Sequence, residues 1–139
     1  MAMKRSSLLV FAFLFAACAS ARAEEISFNR DIRPILSANC FACHGFDAKQ
    51  RKADLRLDVA DSALAERDGH VAIKPGELAK SEVWRRLISD DADVVMPPPS
   101  TKKKLTAEQK ATIRKWIEQG APYQKHWAFE SPAKSAGPS

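Results

Sequence analysis

Two cysteines and a histidine within five residues constrain this chain more than any other feature. The segment 39–45 reads NCFACHG, so Cys40 and Cys43 are three positions apart and His44 follows at once. This spacing suits a redox dithiol, half of a zinc site, or the attachment point of a haem. Each kind of site requires a different fold around it, so the rest of the sequence decides among them.

A redox dithiol and a zinc site both require features that the sequence lacks. A thioredoxin-like dithiol starts a helix within a strand–helix–strand unit, whereas here the helical pattern precedes Cys40. A structural zinc ion takes four ligands, and adjacent Cys43 and His44 with one distant histidine would be an unusual set. Haem attachment explains all three residues, because both thiols bond to the porphyrin and the histidine becomes the proximal iron ligand. The motif therefore favours covalent haem over the two alternatives.

The first 23 residues have the pattern of an export signal. A positive start precedes ten apolar residues at 8–17, and small residues occupy positions Ala21 and Ala23. Ten residues fall short of the roughly twenty that span a bilayer. We therefore expect cleavage after Ala23 and a periplasmic or otherwise exported protein that does not span the membrane. An uncleaved anchor is the alternative.

Composition limits the mature chain to one domain. Removal of residues 1–23 leaves 116 of the 139 residues, which is a single domain's length. The signal carries three of the 22 basic residues and no acidic ones, so the net charge falls from +5 to +2 and a nucleic-acid partner is not expected. Cys40 and Cys43 remain as the only cysteines. A disulfide that closes two intervening residues would stabilise little, so these thiols serve chemistry.

Helical periodicity predicts three helices separated by irregular segments. The first covers roughly residues 31–39, the second starts after Ser81 as N-cap, and the third follows a capping box at 106–109. Between them we expect a short strand over 54–58 and one helical turn within 61–66.

Met96 is the candidate for the second axial ligand of a haem iron. It is the only methionine left after signal removal, it lies 52 residues after His44, and Pro97–Pro99 stiffen the loop behind it. Core methionines usually fill gaps, but a core position beside three prolines is unusual, so we predict ligation. His70 and His126 are the competing ligands, although a solvated loop position is the expected role of each.

Four segments together resemble the planctomycete-type cytochrome c domain, a relative of class I cytochromes c. They are FNRDIRPILSANCFACHG, LRLD, PGELAKSEVWRRLISDDADVVMPP and LTAEQKATIRKWIEQGAPYQKHWAF. The resemblance implies haem c bound covalently to Cys40 and Cys43, with its iron ligated by His44 and Met96. It also implies an all-α cytochrome c fold, in which three main helices and their loops wrap around one haem and the first and last helices cross.

The resemblance also divides the chain. Residues 1–23 are then a signal peptide, 24–123 the cytochrome c domain, and 124–139 a tail expected to be disordered. The family domain usually opens a much longer secreted protein, so we consider a free-standing carrier, a truncated product, and a module whose partner domains lie on another chain. One departure concerns the proximal histidine, because no proline lies between His44 and Pro75 to supply the carbonyl that orients it in many class I cytochromes.

The predicted function is one-electron transfer with an unidentified redox partner protein. Iron with histidine and methionine ligands has no open position, so we expect no enzyme, unless the domain is the redox module of a larger one. The alternative is a haem-based sensor, or the haem subunit of a larger secreted enzyme, with a labile distal ligand. A purely structural haem module is a third hypothesis.

Basic residues near the predicted site are less informative. Residues 102–104 are three lysines. They either steer an acidic redox partner by long-range attraction or belong to a solvated loop, and we favour the solvated loop. Arg56, Arg85 and Arg86 are each candidates to pair with a haem propionate, and the sequence does not choose among them.

Overall fold

The structure, a computed structural model, describes residues 24–125. The predicted signal peptide, the competing ligand His126 and residues 126–139 of the predicted tail lie outside the described residues. Within residues 24–125, none of the helices has the length and apolar character needed to cross a membrane.

Short helices make up most of the regular structure. A π-helix at Phe28–Ile32 runs directly into the first α-helix, and 3-10 turns lie at Leu78–Lys80 and Pro99–Thr101. The α-helices are α1 (Arg33–Asn39), α2 (Phe41–His44), α3 (Ala60–Ala63), α4 (Glu82–Leu87) and α5 (Ala107–Glu118). Strands β1 (Glu66–Arg67) and β2 (His70–Val71) form an antiparallel hairpin.

The prediction of an all-α fold with three main helices is wrong. The described chain is mixed: only two of the five α-helices reach seven residues, a two-stranded sheet is present, and 43% of the residues are helical. The sheet forms because Asp68 and Gly69 both adopt positive φ angles, of 50° and 76°, which places Arg67 opposite His70. Positive φ at both central positions is the geometry of a tight two-residue hairpin.

Two smaller predictions have different outcomes. The predicted strand over residues 54–58 is absent, since Ala53 and Asp54 adopt positive φ and turn the chain there. The predicted helical turn near 61–66 forms slightly earlier, as α3. The capping box before α5 is confirmed, because Thr106 and Gln109 bond each other's backbone N–H through their side chains.

An aromatic cluster joins the two ends of the described chain. Trp116 in α5 lies 5.6 Å from Phe28 and 5.2 Å from Tyr123 between ring centroids, and Phe28 and Tyr123 are 4.4 Å apart. The Trp116 indole N–H donates to the Pro122 carbonyl at 3.1 Å, and the Tyr123 hydroxyl donates to the Leu57 carbonyl at 3.0 Å. The core that surrounds the cluster fixes α1, and therefore the position at which the cysteine motif begins.

Side-chain amides reinforce this junction. Gln119 accepts from the Ile26 N–H and donates to the Glu24 carbonyl, both at 3.0 Å. Gln124 accepts from the Asn29 N–H at 2.9 Å. The first described residues and the last ones are therefore held side by side.

Candidate functional site

The cysteine motif starts where α1 ends. The Cys40 N–H donates to the Leu36 carbonyl at 2.7 Å, and the Cys40 carbonyl accepts from Cys43 at 3.1 Å and from His44 at 2.8 Å. This turn produces α2 and carries Cys40, Cys43 and His44 to one wall of a cavity. Both thiols are free.

The chain after the motif folds back onto it. The Lys52 N–H donates to the Cys43 carbonyl and the Leu57 N–H to the His44 carbonyl, both at 2.8 Å. The Arg51 guanidinium donates to the Gly45 carbonyl at 3.1 Å. Residues 51–57 therefore hold the motif in place from outside.

All four residues predicted to hold haem line one cavity of about 580 Å³. Cofactor pockets in proteins typically measure roughly 300–1,000 Å³. Met96, Pro97 and Pro98 line the same cavity. Its other aliphatic side chains come from Ala42, Ala53, Leu55, Leu57, Ala72, Val83 and Leu87, and an equal number of the remaining lining residues are polar or charged. The structure thus brings Cys40, Cys43, His44 and Met96 together, while the role of each stays a prediction.

The competing histidine ligand lies elsewhere. His70 lines a second cavity, of about 440 Å³, together with charged residues that include Glu66, Lys74 and Arg85. It does not line the cavity that contains the cysteine motif. Of the residues described, Met96 is therefore better placed than His70 to reach a group bound by the motif.

The ring of His44 carries a buried nitrogen that needs a partner. Its Nδ1 has no hydrogen bond within residues 24–125. Burial lowers the pKa of His44, and Arg86 acts in the same direction, while the backbone of Lys52 and Leu55 raises it. The lowered pKa favours the neutral ring, which is the form that binds metals. The carbonyls of Lys52 and Leu55 are candidates for the acceptor that a proline supplies in many class I cytochromes.

The pKa of the Cys40 thiol argues against a reactive dithiol. Burial raises its pKa to about 11, with Cys43 adding to the effect and Lys103 opposing it. Dithiol oxidoreductases instead lower the pKa of the attacking cysteine. The zinc alternative gains no support either, because no three His, Cys, Asp or Glu side chains between residues 24 and 125 are arranged as metal ligands.

Residues 40–100 match the family model for Planctomycete cytochrome C. This match confirms the resemblance drawn from the sequence, and it extends from Cys40 to just beyond Met96. No curated protein and no solved structure matches the chain significantly. Cytochrome c domains bind haem c, so the family implies that cofactor for the cavity.

The residues present fit a haem. Two free thiols, an imidazole and a thioether line the same cavity, and Nδ1 of that imidazole is buried without a hydrogen-bond partner among the described residues. Haem would supply the redox centre. Cys40 and Cys43 would hold it, and His44 and Met96 would ligate its iron.

The three arginines have different surroundings. Arg56 pairs with Asp58 at 2.6 Å, and Arg85 pairs with Glu82 at 2.5 Å beside the polar cavity. Arg86 alone of the three lines the cavity that contains the cysteine motif, where Lys52 and Lys103 are the other cations. Sequence analysis missed Lys52 and did not separate Lys103 from its neighbours, because no local pattern shows which lysine turns toward the motif.

Gly45 provides a test of the packing behind the motif. A Cβ atom at this position would lie 2.3 Å from the Phe41 carbonyl oxygen. We expect Gly45→Ala to lower the free energy of unfolding by about 1–3 kcal/mol, because α2 must shift to relieve the overlap. Denaturant unfolding of the haem-loaded protein measures this loss, and the haem absorption spectrum should change with it.

The matched control is Gly69→Ala. Gly69 has a φ of +76° but nothing within 4 Å of an added Cβ. It should cost about 1 kcal/mol through backbone strain and leave the haem spectrum unchanged. Equal spectra for both variants would contradict a role for Gly45 in placing His44.

Proposed function

We propose that this protein is an exported one-electron carrier, with haem c held by Cys40 and Cys43 and its iron ligated by His44 and Met96. The observation that carries the proposal is that all four side chains line one cavity, of about 580 Å³. The signal peptide at 1–23 and a cytochrome c domain at 24–123 belong to the same proposal.

Each residue at the proposed haem site has a defined role. The thiols anchor the ring, and the neutral His44 offers a nitrogen lone pair to iron. The thioether of Met96 favours ferrous iron and so raises the potential. The aliphatic wall excludes water, which lowers the cost of reorganising solvent when the charge of the centre changes.

Electron transfer is favoured over catalysis by the placement of Met96. Met96 lines the same cavity as His44, so its thioether would fill the sixth position of the iron and leave no place for a substrate. The partner we propose is another redox protein. If Met96 is instead labile, the same site suits a sensor or the haem subunit of a larger enzyme.

Substitution of Met96 tests the proposal directly. The oxidised wild-type protein should show the sulfur-to-iron charge-transfer band, and Met96→Ala should lack it. The reduction potential should fall by on the order of 0.1–0.2 V, within the range of about 0.8 V that axial ligands set. Absorption spectroscopy and redox titration measure both effects.

The control is His70→Ala, which should change neither the band nor the potential, because His70 lines the other cavity. Carbon monoxide should not bind the reduced wild-type protein at neutral pH. A missing band, or ready binding of carbon monoxide, would instead support the sensor hypothesis.

A further inference from the structure

We propose that Lys103 and Arg86 are positioning residues that hold the distal loop, residues 89–105, closed over the haem cavity and so keep Met96 in place. The inference rests on the proposed function, because it takes Met96 as an iron ligand. Its support is the pattern of hydrogen bonds between this loop and the rest of the described chain.

The distal loop is fastened at two places. At the first, the Arg86 carbonyl accepts from the Met96 N–H at 3.1 Å, and the Arg86 guanidinium donates to the Val94 carbonyl at 3.4 Å. At the second, the Lys103 ammonium donates to the Ala38 carbonyl at 2.6 Å. Met96 therefore takes part in the first attachment and precedes the second along the chain.

The other hydrogen bonds of the loop are internal. The Asp91 carbonyl accepts from Val94 and Val95, and the carbonyls of Pro98 and Pro99 accept from Thr101 and Lys102. The loop is therefore organised by its own residues and docks as a unit. Its position over the cavity depends on the few bonds that leave it and on Leu105, which is buried in the core at the end of the loop.

Lys103 differs from Lys102 and Lys104 in the hydrogen bond that its ammonium group makes. Lys102, Lys103 and Lys104 are all exposed, yet of these three only Lys103 has a hydrogen bond from its ammonium group to the described chain. Its acceptor, Ala38, lies in the last turn of α1, where carbonyl groups lack helical partners and carry partial negative charge. Since Cys40 follows two residues later, this bond ties the distal loop to the helix that carries the haem motif.

Arg86 is held in position by a carboxylate. Glu82 accepts from the Arg86 Nε at 2.8 Å and from the Arg85 guanidinium at 2.5 Å. The two arginines thus share one partner, but Arg86 faces the haem cavity and Arg85 the polar one. Arg85 is therefore a control for the charge and for the pairing with Glu82.

The experiment uses the full-length haem-loaded protein and added imidazole, which displaces Met96 when the loop opens. We expect Lys103→Met to bind imidazole about five- to tenfold more tightly than the wild type, since one charge-assisted hydrogen bond is lost. Arg86→Met should show a smaller change, of about two- to threefold, because the backbone bond to Met96 remains. Lys103→Arg should restore most of the wild-type value.

Two matched variants remove the same charge without the contact. Lys102→Met and Arg85→Met should bind imidazole like the wild type. If Lys102→Met and Lys103→Met give the same increase, the effect is one of net charge and the proposal fails. Amide hydrogen exchange distinguishes a local change in the loop from a general loss of stability, because only a general loss would also speed exchange in the core helices.

Amide hydrogen exchange separates this inference from the proposed function. Exchange of the Met96 N–H should be faster in Lys103→Met than in Lys102→Met, whatever group occupies the sixth position of the iron. A wild-type protein without the charge-transfer band would overturn methionine ligation alone. Equal exchange in the two variants would overturn the role of Lys103 in holding the loop.

Discussion

Changing Cys40 and Cys43 together to alanine should release the haem on denaturation and leave a poorly folded chain. In a host with c-type cytochrome maturation, the wild-type protein should keep its haem through acid–acetone extraction, because thioether bonds survive unfolding. The double variant should lose all of it. The absorbance of the protein fraction after extraction measures the difference.

The expected loss of folding follows from the loss of the thioether bonds. The thioether bonds keep the haem in this cavity of about 580 Å³. Without them haem binds only reversibly, so it stabilises the folded chain less and the apolar lining meets water whenever the haem leaves. Each single variant should keep one thioether and an intermediate stability. Complete extraction of haem from the wild type, or zinc in its place, would refute covalent attachment.

Trp116→Ala should cause the largest loss of stability of any single core substitution. Trp116 is fully buried, contacts Phe28 and Tyr123, and donates to the Pro122 carbonyl. Removal of a buried tryptophan costs about 3–5 kcal/mol, because the cavity left behind cannot fully collapse. Denaturant unfolding of the haem-loaded protein measures the change.

Trp84→Ala makes the same chemical change at a half-buried position in α4. It should cost clearly less, since part of its surface is already in contact with water. If both variants lost equal stability, the aromatic cluster would not be the main junction between the two ends of the chain.

Local sequence signals predicted the elements whose causes are local. The capping box set the start of α5, and the cysteine motif followed a helix as expected. Ser81 does precede α4, but its hydroxyl does not cap the helix; instead it accepts from the Lys74 N–H at 2.9 Å and donates to nearby carbonyls. The start of α4 could therefore be predicted from the sequence, but the hydrogen bonds of the Ser81 hydroxyl could not.

The missed sheet had a signal in the sequence. Asp68-Gly69 is a typical hairpin dipeptide, but its strands are only two residues long, too short for an alternating pattern to appear. The bond from Lys103 to Ala38 had no such signal, since the two residues are 65 positions apart. The residues of the motif could be found from sequence, whereas those that close the distal loop depend on tertiary contacts.

The two ends of the described residues lie side by side, and this bears on how the domain could be joined to other domains. Gln119 bonds Glu24 and Ile26, and Gln124 bonds Asn29, so the chain enters and leaves the domain at neighbouring points. Domains with adjacent termini tolerate insertion into a surface loop of another protein and circular permutation. A larger protein could therefore carry this domain as an insertion, and the segments before and after the insertion would stay close together.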